Sequence, residues 1–421
     1  MENYTMSYFL VLPFIALLLS IALAPLFFPD WWSKHYPKVA LSLGAVVIFY
    51  YLFQLHSADI VLHTAIEYIS FIVFIGALYI VSGGIHISTK DLTNPYENVL
   101  VLFIGAILAN ILGTTGASML LIRPWIKMNK SRIQPYHIIF FIFIISNVGG
   151  SLTPIGDPPL FLGYLKGVPF WWITARTLPM WGVAVGLLLL IFYFLDSKNY
   201  RELKKSTVKE IEKKEEWKIE GVINFMFLGI ILLAVFIDSP LFLREGIIIV
   251  TTVASYLTTK KTIHSANHFT FHPIQEVAIL FAGIFATMIP ALELLRTEAQ
   301  SMTTLSTSFF YWNTGLLSSF LDNAPTYLSF FSVAEGNLNP NALPISEMVQ
   351  HPIFAKYLVA ISIGAVFFGA NTYIGNGPNF MVKSIADHYN ISTPSFIRYI
   401  THFTIPILLP IFIVIWWLFF F

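Results

Sequence analysis

Ten apolar stretches, most of them close to the length of a membrane helix, constrain this chain more than any other feature. They cover residues 7–28, 39–55, 65–83, 137–165, 178–196, 221–237, 243–258, 273–290, 352–380 and 402–420. A helix needs about 20 apolar residues to cross the hydrocarbon core of a bilayer. Apolar residues make up 56% of the 421 residues and charged residues only 11%, whereas a soluble domain has roughly 25% charged residues. The chain is therefore predicted to be an integral membrane protein.

Composition also excludes several classes of function. The chain has no cysteine and a formal net charge of +1. Disulfides, thiolate metal sites and cysteine nucleophiles are therefore excluded, and there is no basic surplus that would indicate nucleic-acid binding. No lysine or arginine precedes the first apolar stretch, so this stretch is interpreted as a membrane helix and not as a signal peptide.

Four apolar segments are interrupted by residues that break helices. Residues 146–159 and 369–379 divide two of the long stretches with glycine, proline and asparagine. Two further segments, 97–122 and 303–332, have polar or helix-breaking centres that read Gly-Thr-Thr-Gly from residue 113 and Asp-Asn-Ala-Pro from residue 322. Each flank of these centres is too short to span a bilayer, so both segments are predicted to be re-entrant hairpins. Such backbone is tolerated in a membrane only where protein or water surrounds it.

The two halves of the sequence can be aligned with each other. An offset of 209 residues carries Glu67 onto Glu276 and the first hairpin centre onto the second. Beyond the hairpins an offset of 219 matches Thr153 with Thr372, Gly156 with Gly375, and Asp157 with Asn376. Paired interruptions at matching places in two halves are typical of transporters whose substrate site lies near the middle of the membrane.

The predicted fold is an all-α polytopic membrane protein built from two inverted repeats. Each repeat has five transmembrane helices, one of them broken, and one re-entrant hairpin. Residues 1–196 form the first repeat, the charged segment 197–220 is a solvated cytoplasmic linker, and residues 221–421 form the second repeat. Because the number of helices per repeat is odd, the second repeat enters the membrane from the opposite side.

The distribution of basic residues supports this layout. With both termini outside, 19 of the 24 lysine and arginine residues fall on the inner side, as the positive-inside rule requires. The expected location is the inner, or plasma, membrane of a bacterium.

The interrupted segments supply hard oxygen ligands, which suit a small alkali cation. The candidate binding residues are Asp157, Asp322, Asn323, Thr114, Thr115, Asn147, Ser151, Thr153, Thr326, Asn371, Thr372, Asn376 and Asn379. Those predicted to contact sodium directly are Asp157, Asp322, Asn323, Thr153 and Asn376. A buried carboxylate can hold either a cation or a proton, which is the minimum requirement of an antiporter. The two acids are expected to line one shared cavity, and neither catalytic residues nor a cofactor is expected.

Simpler interpretations of several residues remain open. Asp157 could cap the helix that follows it, because aspartate is favoured at that position. Glu67 and Glu276 stand near helix starts, where acids interact favourably with the helix dipole. His137 is expected to lie at the membrane interface.

The chain resembles the sodium/proton antiporters of the NhaD type. They belong to the ion transporter superfamily, which also includes dicarboxylate/sodium symporters and arsenite permeases. The resemblance is strongest over residues 146–163, which read SNVGGSLTPIGDPPLFLG, and is clear over 320–327 and 369–379. It implies a scaffold domain, a mobile transport domain with an elevator-like movement, a homodimer, and exchange of sodium or lithium for protons. The carboxylate carriers of that superfamily tend to have Ser-Asn-Thr at both hairpin tips, and this chain does not.

Two rival functions are weighed against sodium/proton antiport. A sodium-coupled symporter of di- or tricarboxylates would share the fold, but the acids Asp157 and Asp322 would repel its substrate. An intramembrane aspartyl protease would use the same two acids as a dyad, but position 154 is proline where that class has glycine, and the repeat would have no role.

Overall fold

A computed structural model describes residues 8–89, 93–202, 218–237, 239–303, 305–338 and 343–421 of the chain. These residues are mostly helical. Within the described ranges, eight helical spans are long and apolar enough to cross a membrane. The prediction of a polytopic helical membrane protein is therefore confirmed.

The first half begins with a 3-10 turn at Tyr8–Val11. The helices that follow it are α1 (Leu12–Phe27), α2 (Pro29–Phe49), α3 (Ala58–Gly83), α4 (Pro95–Met128), α5 (Pro135–Ile144), α6 (Pro158–Leu165) and α7 (Phe170–Arg201). A π-helical turn at Tyr50–Gln54 extends α2. A 3-10 turn at Val148–Ser151 lies between α5 and α6, inside the predicted interruption.

The second half contains more, and shorter, helices. They are α8 (Ile223–Ala234), α9 (Leu243–Thr258), α10 (Lys261–Ala266), α11 (His272–Ala299), α12 (Thr307–Ser318), α13 (Asn323–Leu338), α14 (Ile345–Met348), α15 (Pro352–Phe368), α16 (Gly377–His388), α17 (Phe396–Tyr399) and α18 (Leu409–Phe419). A 3-10 turn at Gly369–Asn371 follows α15, and a π-helical stretch at Ile400–Leu408 joins α17 to α18.

Helix α4 folds back on itself. It begins with a capping box in which the Asn94 side chain accepts a hydrogen bond from the backbone of Glu97, and it is broken at Gly113, where φ is 72° and ψ is 157°. The Asn98 amide donates to Asn129 Oδ1 at 2.7 Å, although 31 residues separate them. A straight helix would place these two residues about 46 Å apart. The two arms of α4 are therefore antiparallel, with Gly113 at the bend.

Helices α12 and α13 form a second fold-back segment. Residues 319–322 make the turn between them. At the far end, the Asn337 amide donates to the backbone oxygen of Met302 at 3.2 Å across 35 positions of sequence. Both segments with helix-breaking centres thus return toward the point from which they started.

Both broken helices close around a pair of glycines. A β-carbon on Gly156 would lie 2.0 Å from the carbonyl oxygen of Gly150, and one on Gly375 would lie 2.6 Å from that of Gly369. These distances are shorter than any real contact, so only glycine fits at these crossings. Each member of the first pair lies 219 positions before its counterpart in the second pair, which is the offset found in the sequence.

A matching hydrogen bond fastens each break to the neighbouring fold-back segment. Thr153 Oγ1 donates to the backbone oxygen of Asn110 at 2.7 Å. Thr372 Oγ1 donates to the backbone oxygen of Ser319 at 2.5 Å. Thr153 and Thr372 are related by the offset of 219, and Asn110 and Ser319 by the offset of 209. The two halves therefore share local geometry as well as sequence spacing.

A small β-sheet departs from the all-helical expectation. Strands β1 (His86–Ser88) and β2 (Lys218–Glu220) pair in antiparallel fashion, with His86 opposite Glu220. The pairing fixes the end of the predicted linker 197–220 beside the loop that follows α3. Residues 203–217 of that linker lie outside the described residues.

The helices pack in two groups. Helices α1, α2 and α3 pack with α11, and α8 and α9 pack on α3, while α12 packs on α15 and α4 on α7 and α16. Helices α3 and α11 also contact the fold-back segments. The interrupted segments are thereby placed next to α3 and α11, where their polar residues converge.

Candidate functional site

Asp157 lies where both fold-back segments and both broken helices meet. Its side chain is 1% exposed. Its Oδ1 accepts hydrogen bonds from Thr114 Oγ1 at 2.6 Å and from Asn376 Nδ2 at 3.2 Å. Its Oδ2 accepts a hydrogen bond from Asn323 Nδ2. The first bend, the second turn and the second broken helix thus each contribute one donor to a single carboxylate.

The backbone of Asp157 stands at the N-cap of α6, but its side chain makes no capping hydrogen bond. Asp157 is therefore the N-cap residue of α6 by position, but its carboxylate does not cap the helix. Its oxygens accept hydrogen bonds from three distant segments and none from the start of its own helix.

Within the described parts of the chain, Asp157 makes no ion pair with a cationic side chain. Among the described residues, the lysine, arginine and histidine side chains that form ion pairs do so with other acids. A buried carboxylate without a partner is very costly. The three neutral donors stabilise it only in part, so the site requires a cation or a proton from outside.

Asn323 offers an open oxygen beside this carboxylate. Its side chain is fully buried, its amide nitrogen donates to Asp157, and no donor within the described residues reaches its Oδ1. An unsatisfied buried acceptor requires an explanation. An amide oxygen is a good ligand for a hard cation, so a bound ion would satisfy both Asn323 and Asp157.

A chain of asparagines joins the two broken helices behind the carboxylate. Asn376 Nδ2 also lies 3.1 Å from the backbone oxygen of Ser146 and 3.2 Å from Asn147 Oδ1. Asn147 donates to Asn379 Oδ1 at 2.7 Å. Asn379 in turn donates to the backbone oxygens of Gly369 and Thr372. The breaks leave these backbone carbonyl groups without helical hydrogen bonds, and the asparagine amides donate to them instead.

Asp322 has a different environment from Asp157. Its Oδ1 accepts a hydrogen bond from the backbone of Ala324 at 3.0 Å, at the start of α13. It lines a cavity with about 60 Å³ of room for the centres of water molecules, which is enough for about four waters. The cavity is bordered by Thr115, Asn323 and Asn376 on one side and by α3 and α11 on the other.

Asp157 is not part of the lining of this cavity. It lies behind Asn323 and Asn376, each of which contacts both the carboxylate and the cavity. The expectation that the two acids line one shared cavity is therefore only half met. Asp322 borders the cavity, whereas Asp157 is connected to it through the amides of Asn323 and Asn376.

Some predicted ligands lie away from the carboxylate. The hydroxyl of Thr153, a predicted sodium contact, donates to the backbone oxygen of Asn110. Asn371 donates to Ser319 Oγ at 2.9 Å, and its Oδ1 has no donor in the described part of the chain. The remaining candidates have structural hydrogen bonds: Thr372 to Ser319, Ser151 to Val148 and Thr326 to Asp322.

A buried charged network at the open end of the α4 fold-back was not predicted. Asp196 is fully buried and pairs with Arg132. It also accepts hydrogen bonds from Tyr136 at 2.9 Å and Asn98 at 3.0 Å, and lies 3.0 Å from His137 Nε2. The ring of His137, which was expected at the membrane interface, is fully buried within the protein. An acid at the end of an apolar stretch was the available sequence signal.

The membrane-spanning helices and the polar centre inside them define a membrane transporter. The family comparison gives the same class. The chain belongs to the family described as "Putative citrate transport", whose model matches residues 3–420. This is a family of secondary transporters and not of enzymes, so the protease alternative fails. The comparison with curated proteins gave no match.

Proposed function

We propose that the protein exchanges sodium, or lithium, for protons across the inner membrane of a bacterium. The observation that carries this proposal is the fully buried Asp157, held by three neutral donors with no counterion among the described residues. The unpartnered Oδ1 of Asn323 beside it supports a cation as the missing partner. In the absence of the cation a proton would neutralise the same charge, which couples the two fluxes.

The proposed cation ligands are Asp157, Asn323, Asn376 and Thr114, with Asp322 at the cavity through which the ion arrives. Carboxylate, amide and hydroxyl oxygens are the ligands that hard cations prefer. The cavity in this conformation has room for about four waters. That space admits a hydrated alkali ion.

The proposed movement is an elevator-like displacement of the interrupted segments against α3 and α11. The matched hydrogen bonds and glycine crossings of the two halves support a pair of repeats, residues 1–196 and 221–421. We propose that these repeats are inverted, that α4 and the α12–α13 pair are re-entrant, and that the linker 197–220 is cytoplasmic with both termini outside. A homodimer is proposed on the resemblance to the NhaD type alone.

Sodium-coupled transport of a di- or tricarboxylate is the second candidate. The family description favours it, and so does one side chain. Nε and Nη1 of Arg123 are buried and have no acceptor within the described residues. A guanidinium is the group that best binds a carboxylate, and the charge of Arg123 lies near Tyr79, which borders the cavity.

One experiment separates the two candidates. The purified protein is reconstituted into vesicles that contain a pH-sensitive dye, and sodium, lithium, potassium, citrate and arsenite are added in turn. Sodium/proton exchange predicts proton movement with sodium or lithium alone. Symport predicts no proton movement with sodium or lithium alone; it predicts uptake of radioactive citrate that requires sodium, and Arg123→Gln should then abolish that uptake.

A further inference from the structure

An ion pair connects α3 to the element that follows Asp157. Lys166 stands directly after α6, the short helix that begins next to Asp157. Its Nζ lies 2.7 Å from one carboxylate oxygen of Glu67 and 2.9 Å from the other. The side chain of Glu67 is 11% exposed and that of Lys166 29% exposed. The pair is therefore partly shielded from water, and it is stronger than a fully exposed pair would be.

Two other contacts of α6, with α3 and with the residues after α8, are of a kind that can slide. The ring of Phe161 stacks on Phe74 with centroids 4.2 Å apart. The Tyr164 hydroxyl donates to the backbone oxygen of Val235 at 2.8 Å. Aromatic surfaces remain buried when they slide along one another, and a hydroxyl can exchange one carbonyl for the next. A carboxylate and an ammonium separated from each other must each be solvated or paired again.

The ion pair has no counterpart in the second half. The offsets that relate the halves place Glu276 and Ile385 at the equivalent positions, and isoleucine cannot pair with an acid. In a protein with two inverted halves, equivalent positions would lie on opposite faces of the membrane. A contact present in one half alone therefore stabilises only one of the two end states of the movement.

We propose that Glu67 and Lys166 form an ionic latch that holds the α6 segment against α3 in one end state and must open during each transport cycle. This inference rests on the movement proposed above. It does not depend on which solute is carried, because the latch joins the two moving parts outside the cavity.

Crosslinking tests the latch directly. The chain has no cysteine of its own, so Glu67→Cys and Lys166→Cys introduce a unique pair. Two long side chains meet here, and the backbones are expected to lie too far apart for a direct disulfide, so a short bifunctional methanethiosulfonate is used. The double-cysteine variant before crosslinking gives the reference transport rate, for whichever solute it carries. Crosslinking should lower this rate at least tenfold, and reduction of the crosslink should restore it.

The control is a second cysteine pair within one helix. Lys383 and Asp387 form an ion pair one turn apart on α16, and cysteines at both positions move together whatever the domains do. Crosslinking this pair should leave transport unchanged. Undiminished transport by protein whose 67–166 thiols are fully crosslinked would overturn the latch. If the unmodified protein shows no sodium/proton exchange and carries another solute instead, only the proposed function is overturned.

A charge exchange provides a second readout. Glu67→Gln and Lys166→Met should each change the transport rate about two- to fivefold, the range expected for a pair worth up to about 1 kcal/mol. Glu67→Lys combined with Lys166→Glu should return the rate toward that of the unmodified protein. A double exchange that is no better than its worse single variant would contradict the latch.

Discussion

The side-chain amide of Asn323 donates a hydrogen bond to a carboxylate oxygen of Asp157, which lies 166 positions earlier in the chain. This bond joins the second fold-back segment to the first broken helix. Asn323 keeps its own oxygen free while it does so, and the site therefore combines a buried charge with an unused ligand. We expect both residues to contribute to cation affinity, and their variants should distinguish a ligand from a structural support.

The Asn323→Ala variant removes both the donor and the free oxygen. We expect the sodium concentration for half-maximal transport to rise about 10- to 100-fold, because a hydrogen bond to a charged group contributes roughly 1.5–3 kcal/mol. Sodium-dependent proton flux in vesicles gives this value. Asn313→Ala is the matched control, since Asn313 is an exposed asparagine on α12. An unchanged half-maximal concentration in the Asn323 variant would show that its oxygen binds no cation.

The Asp322→Asn variant preserves shape and the acceptor for the backbone of Ala324, and it removes the charge at the cavity. We expect sodium-driven proton movement to be lost while the protein stays folded and inserted, because this carboxylate attracts the ion to the cavity and is neutralised there. Flux is measured with the pH dye, and folding by gel filtration in detergent. Flux at the level of the unmodified protein would leave Asp322 with a capping role only.

Glycine at position 156 is required by the crossing with Gly150. We expect Gly156→Ala to destabilise the protein by about 1–3 kcal/mol or to prevent folding, because the added carbon would overlap a backbone carbonyl. Thermal unfolding in detergent provides the measurement. Gly186→Ala on α7 is the control, since nothing lies within 4 Å of a β-carbon there. Equal melting temperatures for the two variants would contradict the described crossing.

Much of this architecture could be predicted from the sequence, because its signals are local. Apolar length predicts the helices, and glycine, proline and asparagine inside an apolar run predict where a helix must break. The repeat offsets come from comparing these local patterns between the two halves. They paired Thr153 with Thr372 and Gly156 with Gly375, which make matching hydrogen bonds and glycine crossings in the structure. Asp157 could be singled out as an acid inside one of these breaks.

The partners of each polar residue could not be predicted in this way. Thr114, Asn323 and Asn376 come to Asp157 from three separate segments, and nothing near Asp157 in sequence indicates which of the candidate hydroxyls and amides will reach it. Thr153 was chosen as a sodium ligand for its closeness in sequence, yet its hydroxyl is used to hold the break. The Arg132–Asp196 pair joins the end of α7 to the base of the α4 fold-back, and only the tertiary structure brings the two together.

The central claim is that Asp157 carries the charge that binds the transported cation. Binding of radioactive sodium to the purified protein tests it most directly, with Asp157→Asn compared with Asp387→Asn, which removes an exposed acid on α16. The account predicts saturable sodium binding to the unmodified protein and to the Asp387 variant, and no saturable binding to a folded Asp157 variant. Saturable binding of similar affinity to the Asp157→Asn variant would contradict the account.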